Sequence, residues 1–355
     1  MRILRAYFRI PPCVGGMENH IYELTVNQRK LNHEIILAFN DGLVTSKSDI
    51  RILKKIKLYP NLKAIYAILI FNFLLVFKLL YKSVNVDLIH LHGDWSSFMF
   101  ASILKKITKC QRVVFSLHGD ISEYSETKLK RLLKQLSKAD IIITTGYETY
   151  VGVKQYCNAY FQPSGVSDFF YLQQKRQSDI NDTFTIITVN RLTPKKNNRT
   201  ILEIAKILPH FHFKILGIGE EFEELKCIVA NDNLNNVELL GMINKEQVPY
   251  YLQRADLFLF ASTWEGTPTA VLEALAIGLP IVTSNAGGVS RIIINDLNGY
   301  VVENPMDVNV YVERIVNLEK NENLRKQMID NNKRLAERFR WSKVAQNITG
   351  IMING

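Results

Sequence analysis

Glu265 and Glu273, eight positions apart in "STWEGTPTAVLEALAIGLP" (262–280), frame the stretch richest in potential chemistry. The spacing itself carries nothing, because 20 glutamates in 355 residues give about one such pair by chance, and Glu238 with Glu246 is another. The surrounding residues say more. Thr267 followed by Pro268 reads as an N-cap and a proline at the first helical position, and Gly278 with Pro280 as a stop, which predicts a helix over about 268–277. That helix is apolar nearly all round and is expected to be buried, with Glu273 its only charge. A buried, unpaired carboxylate costs several kcal/mol, so Glu273 needs donors or a cation, or else it is protonated. A ligand diol such as that of a ribose would supply donors; a salt bridge to a neighbouring arginine is the purely structural alternative. Glu265 lies in the loop ahead. Gly266, Thr267, Pro268 and Thr269 lead from it to the helix N-terminus, where free N–H groups attract phosphate.

Other groups could serve the same chemistry. In "VNRLTPKKN" (189–197) Arg191 closes an apolar run and Lys196 follows in a polar loop; converging on a diphosphate, two such cations would stabilise a departing nucleotide. Ordinary surface charges are the alternative. Gly15 and Gly16 follow the first apolar run (2–9), where a tight turn can bring backbone N–H groups against a phosphate or sugar. Gly217 and Gly219, then Gly241 with Met242, stand at later strand ends, consistent with close backbone approach to a nucleotide. His90, His92 and His118 also fall at strand ends; a structural role is favoured for His90 and His92, although His92 with Asp94 could line an acceptor side. No D-x-D occurs, so the paired-carboxylate metal grip is missing and no metal is expected.

These residues need a scaffold, and the pattern of apolar runs suggests one. "HEIILAF", "DLIHLHG", "RVVFSLHG" and "ADIIITTG" punctuate the first half, and "FTIITVNR", "FHFKILGIG", "VELLG", "DLFLFAS" and "PIVTS" the second, each pair separated by helical stretches. Continuous apolar runs suit parallel sheets covered on both faces, so two doubly wound α/β domains are expected, with "FQPSGVSDFFYLQQKRQSDIND" (161–182) as linker. The hydrophobic fraction of 47% suits well-formed cores. Cys13, Cys110, Cys157 and Cys227 lie far apart without a C-x-x-C pair, which fits reduced thiols in the cytoplasm. The opening "MRILRAYFRI" reads as a strand rather than a signal peptide. Net charge is +10 but uneven: residues 1–163 hold 23 Lys/Arg against 12 Asp/Glu, residues 164–355 hold 21 against 22. The first half therefore favours an anionic partner, with solvated lysines serving only solubility as the alternative. Its most hydrophobic stretch, "LKAIYAILIFNFLLVFKLLY" (62–81), has only 14 residues between Lys63 and Lys78, short of the roughly 20 needed to span a bilayer. A helix docked on the sheet is expected there, with a partly membrane-facing helix as alternative.

Taken in order, these segments resemble the retaining glycosyltransferases of family 4, over almost the whole chain. "EGTPTAVLEALAIGLPIVTSNAGGV" is similar to the family's E-x-G-x-P-x-x-x-x-E segment and Gly-Gly loop, "VNRLTPKKN" to R-L-x-P-x-K, "CVGGMENHIYEL" to the Gly-Gly-x-Glu opening loop, and "FSLHGD" to the segment with the catalytic-site histidine. The resemblance implies the GT-B fold: two doubly wound Rossmann-like α/β domains facing a central cleft. Residues 1–165 would form the acceptor domain, with a helix over 336–355 crossing back onto it, and 166–335 the donor domain. It also implies that Arg191 and Lys196 grip the donor diphosphate, Glu273 accepts from ribose hydroxyls, Glu265 contacts the sugar and His118 sits near the anomeric carbon. Gly15, Gly16, Gly217, Gly241, Met242, Gly266, Thr267, Pro268 and Thr269 would complete the donor site.

The implied reaction moves a sugar, with retention, from a nucleoside-diphosphate donor (a UDP-sugar favoured) to a hydroxyl of a lipid-linked or glycan acceptor, needing neither metal nor cofactor. Partners would be an anionic membrane surface at the cytoplasmic face, as in bacterial surface polysaccharide assembly, and not nucleic acid. The chain departs from the family in "GGVSRII", with Arg291 where Glu is common, and in "PSGVSD" at the linker. Two rivals are an epimerase of the same fold and a non-catalytic nucleotide-sugar-binding subunit. A dinucleotide oxidoreductase is disfavoured, because "GIGEEF" lacks the third glycine of G-x-G-x-x-G.

Overall fold

A computed structural model describes residues 1–13, 15–53, 63–119, 121, 124–172 and 183–355. The chain divides into two compact units, Met1–Gly165 with Trp341–Gly355, and Val166–Arg340. Each is built on one parallel sheet.

The first sheet contains β1 (Arg2–Ala6), β2 (Glu34–Phe39), β3 (Ile50–Arg51), β4 (Leu88–Gly93), β5 (Arg112–Leu117), β6 (Ile141–Thr144) and β7 (Ala159–Phe161), in the order β3-β2-β1-β4-β5-β6-β7. Strands such as EIILAF and RVVFSL are buried along nearly their whole length because both faces of the sheet are covered. The order reverses between β1 and β4, the position at which open α/β sheets leave a crevice beyond their carboxyl ends. The Gly15–Gly16 loop, Asp94 and His118 follow β1, β4 and β5 and so gather at that edge. On one face, Ala67, Phe71, Leu75 and Leu79 of the helix Ala64–Lys82 join the main core. On the other, Trp341, Val344 and Ile348 of the helix Trp341–Asn354 pack with Ile3, Leu24, Ile35 and Ile143. Trp341 is fully buried, and a Cβ on Gly165 would lie 2.4 Å from its ring. Truncating such a side chain to alanine costs about 3–5 kcal/mol.

The sequence reading began this last helix near 336. Residues 336–340 instead stay with the second unit: Ala336 ends the helix Glu322–Ala336, Phe339 accepts from the Val166 N–H at 2.7 Å, and Arg340 grips Glu337 with bonds of 2.6 and 2.8 Å. The expected linker is part structure too, since Phe170 is buried and Tyr171 donates to the Ala336 carbonyl at 2.8 Å. Residues 173–182 of that expected linker lie outside the described residues.

The second sheet contains β8 (Thr185–Val189), β9 (His212–Leu216), β10 (Val237–Gly241), β11 (Leu257–Phe260), β12 (Ile281–Ser284) and β13 (Gly299–Val302), in the order β10-β9-β8-β11-β12-β13. Its reversal falls between β8 and β11, so the loops carrying Arg191–Lys196 and Ser262–Pro268 are neighbours. The helix after β11 runs Thr269–Ile277, with Gly278 at φ +90° as its stop. Pro268 is the N-cap rather than the first helical residue, and no side chain caps it, so the expected Thr267 cap is replaced by a helix start one residue later.

Candidate active site

In the second unit the two neighbouring loops are laced together by side chains. The Lys195 carbonyl accepts from the Thr263 N–H at 2.8 Å and from Ser262 Oγ at 2.9 Å. Asn197 donates to the Ala261 carbonyl at 3.1 Å, and Asn190 and Asn198 exchange amide hydrogen bonds of 3.0 and 3.1 Å. This lacing brings Lys196 and Glu265, 69 residues apart, into an ion pair at Glu265 Oε1, which lies 2.9 Å from Ser262 Oγ and competes with the Lys195 carbonyl for that hydroxyl's one proton. Both side chains are mostly buried. Arg191 is exposed, two residues beyond β8, with no ion pair among the described residues. Lys196 and Glu265, expected to have separate tasks, are thus coupled. Gly287 supports the coupling from the loop after β12: its φ is +64°, and a Cβ there would lie 2.2 Å from the Gly266 carbonyl oxygen and 2.8 Å from Glu265 Cβ.

Glu273 sits in the body of its helix, as its burial demanded, and its cation is Lys245 rather than an arginine, with Nζ at 3.7 Å, an ion pair longer than a hydrogen bond. Burial raises the Glu273 carboxyl pKa above the usual range, and Lys245 opposes the rise. Gly217 has a different explanation from the one its strand-end position suggested. Its φ is +137°, and a Cβ would lie 1.8 Å from the Asn190 carbonyl oxygen, so the glycine admits the protein's own backbone. Gly241 has φ +68° with open space around it, and Met242 beside it is exposed.

In the first unit the histidines form a connected set that also includes His20, which the sequence reading passed over. His90 Nδ1 faces the buried Arg5 guanidinium at 3.2 Å and must accept, so its proton is on Nε2 and is donated to Ser116 Oγ at 2.7 Å. His92 Nδ1 and His118 Nε2 are 2.9 Å apart, and His92 Nε2 is buried without a partner among the described residues. A bare lone pair is cheaper to bury than a bare N–H, so His92 donates from Nδ1 and the His118 proton lies on Nδ1. His20 Nδ1 meets Ser164 Oγ at 2.6 Å, and its ring packs 4.6 Å from His118 and 5.1 Å from Trp341. Burial holds all four rings neutral, pushing His118 down to about 3 and the others well below their usual value. His20, His92 and His118 are also the one grouping of potential metal ligands among the described residues, with ligand atoms within 4.8 Å.

Glu18 of the Gly-Gly-x-Glu segment is buried beside Gly15, with Arg9 at 3.4 Å. Burial raises its carboxyl pKa, and Arg9 opposes this. Gly16 opens the helix Gly16–Lys30 with free space where a Cβ would stand. Asp94 caps the short helix Trp95–Phe98 through Ser96 at 3.0 Å. Thus Gly15, Gly16, His92, Asp94 and His118 belong to one unit, and the remaining site candidates to the other. Lys245 carried no local signal. Glu18 and His20 lay within "CVGGMENHIYEL", and His20, four residues from Gly16, shares its helix face.

Two Rossmann-like parallel sheets, each with loops carrying the candidate residues at its strand-order reversal, define a two-domain α/β protein. Residues 171–335 match the family Glycosyl transferases group 1, and residues 14–158 match Glycosyltransferase Family 4. The chain belongs to these family 4 glycosyltransferases and has the two-domain GT-B fold. Among its relatives, an uncharacterized glycosyltransferase of Methanocaldococcus jannaschii is 23% identical over 345 residues, 95% of this chain and 94% of the relative. The UDP-Gal:alpha-D-GlcNAc-diphosphoundecaprenol alpha-1,3-galactosyltransferase of Escherichia coli is 25% identical over 68% of each chain. Anabaena HepE, solved with UDP and glucose, superposes with a TM-score of 0.79 at 18% identity, covering 99% of both chains.

Proposed function

We propose that this glycosyltransferase transfers a sugar with retention, and without a metal, from a UDP-sugar to a hydroxyl of a lipid-linked glycan acceptor at the cytoplasmic face of a membrane, in the assembly of surface polysaccharide. The observation that carries the reading is the Lys196–Glu265 pair, held where the loops after β8 and β11 meet, ahead of a helix whose body carries the mostly shielded Glu273. A donor diphosphate competes for Lys196 and so releases Glu265 to accept from a sugar hydroxyl. Arg191 and the N–H groups at Thr269 add to Lys196 in taking up charge on the departing nucleotide. Glu273 accepts from the ribose. His118, neutral and carrying its proton on Nδ1, can donate to a donor hydroxyl, and Gly15 and Gly16 leave backbone N–H groups open to it. In a front-face step the leaving phosphate oxygen takes the acceptor proton, so no enzymatic nucleophile is required. UDP and a lipid diphosphate acceptor are supported by the complex of the Anabaena protein with UDP and by the diphosphoundecaprenol-linked acceptor of the Escherichia coli enzyme.

Incubation with a panel of UDP-sugars and a lipid-linked GlcNAc acceptor, with and without chelator, tests this. Expected is a chelator-insensitive product whose new anomeric centre keeps the donor configuration by proton NMR. Inversion of that centre, an altered sugar released without acceptor, or donor binding without turnover would each overturn it.

A further inference from the structure

The apolar helix Ala64–Lys82 has two hydrophobic faces, of which the fold uses one. Ala67, Phe71, Leu75 and Leu79 are buried in the sheet-covering core. Tyr66, Ile70, Phe73, Phe77, Leu80 and Tyr81 recur every three or four residues and are all exposed, so they form one outward stripe. Of its apolar window Ile65–Lys82 only 28% is buried. The helix begins at the lip of a cavity of about 440 Å³, lined by Ile65 and Ile68 on one side and by Asp94, Ser125, Lys128 and Arg131 on the other. Lys128 lies 3.5 Å from the Tyr124 ring and Arg131 5.3 Å from the Trp95 ring. Neither pairs with a carboxylate among the described residues, so aromatic faces position both cations without neutralising them.

An apolar lip, two positioned cations and a nearby carboxylate suit one kind of molecule: an amphiphile with an anionic phosphorylated head and hydroxyls. We infer that this cavity receives the phosphorylated head of the lipid-linked acceptor, whose hydrocarbon chain stays in the bilayer alongside the outward stripe. The inference deepens the acceptor part of the proposed function and rests on it. Lys128 and Arg131 hold the phosphate oxygens, and Asp94, which uses Oδ1 for Ser96, offers Oδ2 to a glycan hydroxyl. The net positive charge of residues 1–163 adds a general attraction of this half of the chain to an anionic bilayer.

Flotation of the full chain on phosphatidylcholine vesicles doped with a long-chain polyprenyl diphosphate, beside vesicles matched in charge with phosphatidylglycerol, tests it without any variant. Expected is binding about tenfold tighter to the doped vesicles. K128Q/R131Q should bring it down to the phosphatidylglycerol level, and F73Q/F77Q should lower it on both; melting curves near the parent's show that the variants fold. Equal binding to the two vesicle types, or a preference that survives K128Q/R131Q, overturns the inference. So does inorganic pyrophosphate binding at Lys128 and Arg131 without vesicle recovery, which would identify a soluble ligand, or a dimer that F73Q/F77Q dissolves, which would identify a second copy as occupant. Flotation reads no turnover, so failure of the transfer assay and failure of this inference are separate results.

Discussion

At the scale of single residues, the two glutamates make opposite predictions. Glu273→Gln keeps the shape but removes the charge offered to ribose hydroxyls, which should weaken nucleoside-diphosphate binding about ten- to a hundredfold by calorimetric titration. The same change should alter stability with a definite sign. Burial raises the folded-state pKa of Glu273, so the folded protein binds that proton more tightly than the unfolded chain does, and the stability this lends below the unfolded value is lost as pH rises through the folded value. Relative to the parent, Glu273→Gln should therefore gain in ligand-free melting temperature between pH 4.5 and 7.5. A constant offset across that range would mean that Lys245 already compensates the charge in full. Glu265→Gln should lower kcat by about a hundredfold or more with donor KM changed by less than about threefold, since its bond to the sugar is proposed to matter most as charge develops. Equal losses in kcat and KM would give Glu265 a binding role instead. Lys196→Gln strands the Glu265 carboxylate and should cost about 1–3 kcal/mol in urea denaturation.

At the scale of elements, much of the second unit could be read directly, because its signals are local. The apolar runs gave its strands, and a lone charge in an apolar helix marked Glu273 as a residue in need of a partner. The pairing of Lys196 with Glu265 could not be read, since it depends on β8 and β11 lying side by side, and that adjacency is set by the order of the whole sheet. The identity of the Glu273 partner failed for the same reason: Lys245 comes from beyond β10. In the helix Ala64–Lys82, composition left a docked helix and a partly membrane-facing one both open, because only the packed fold distinguishes the face against the sheet from the one left outside. The glycines show the limit most plainly. Gly217→Ala should cost about 1–3 kcal/mol, since its Cβ would strike the Asn190 carbonyl and its φ is positive. Gly16→Ala, with open space in the first turn of a helix, should leave the urea midpoint within about 0.5 kcal/mol of the parent yet reduce transfer if donor sugar or phosphate approaches that backbone. Identical transfer by Gly16→Ala and the parent would remove Gly16 from the donor site.

At the scale of the whole molecule, the two units carry opposite acid responses. The first buries His20, His90 and His92 and largely shields His118, and desolvation, followed for all but His118 by neighbouring cations and rings, lowers their pKa values. Below about pH 6.5 the unfolded chain takes up protons at these positions while the folded unit refuses them, so stability falls with pH until each folded value is reached, about 3 for His118. Each ring contributes up to about 1.4 kcal/mol per pH unit over that window. The second unit has Glu273 acting in the other direction, and its one lowered histidine, His212, is partly exposed beside Glu238. Acidification from pH 7.5 to 5.5 should therefore split thermal unfolding, with the transition of the first unit moving to lower temperature ahead of that of the second. Differential scanning calorimetry with UDP present assigns the peaks, since the nucleotide should raise only the transition of the unit that holds it. His92→Asn should flatten the acid slope of the first transition by about one ring's share. An acid-labile transition that UDP raises would place the buried histidines and the nucleotide in the same unfolding unit, and a single transition at every pH would mean that the two units unfold as one.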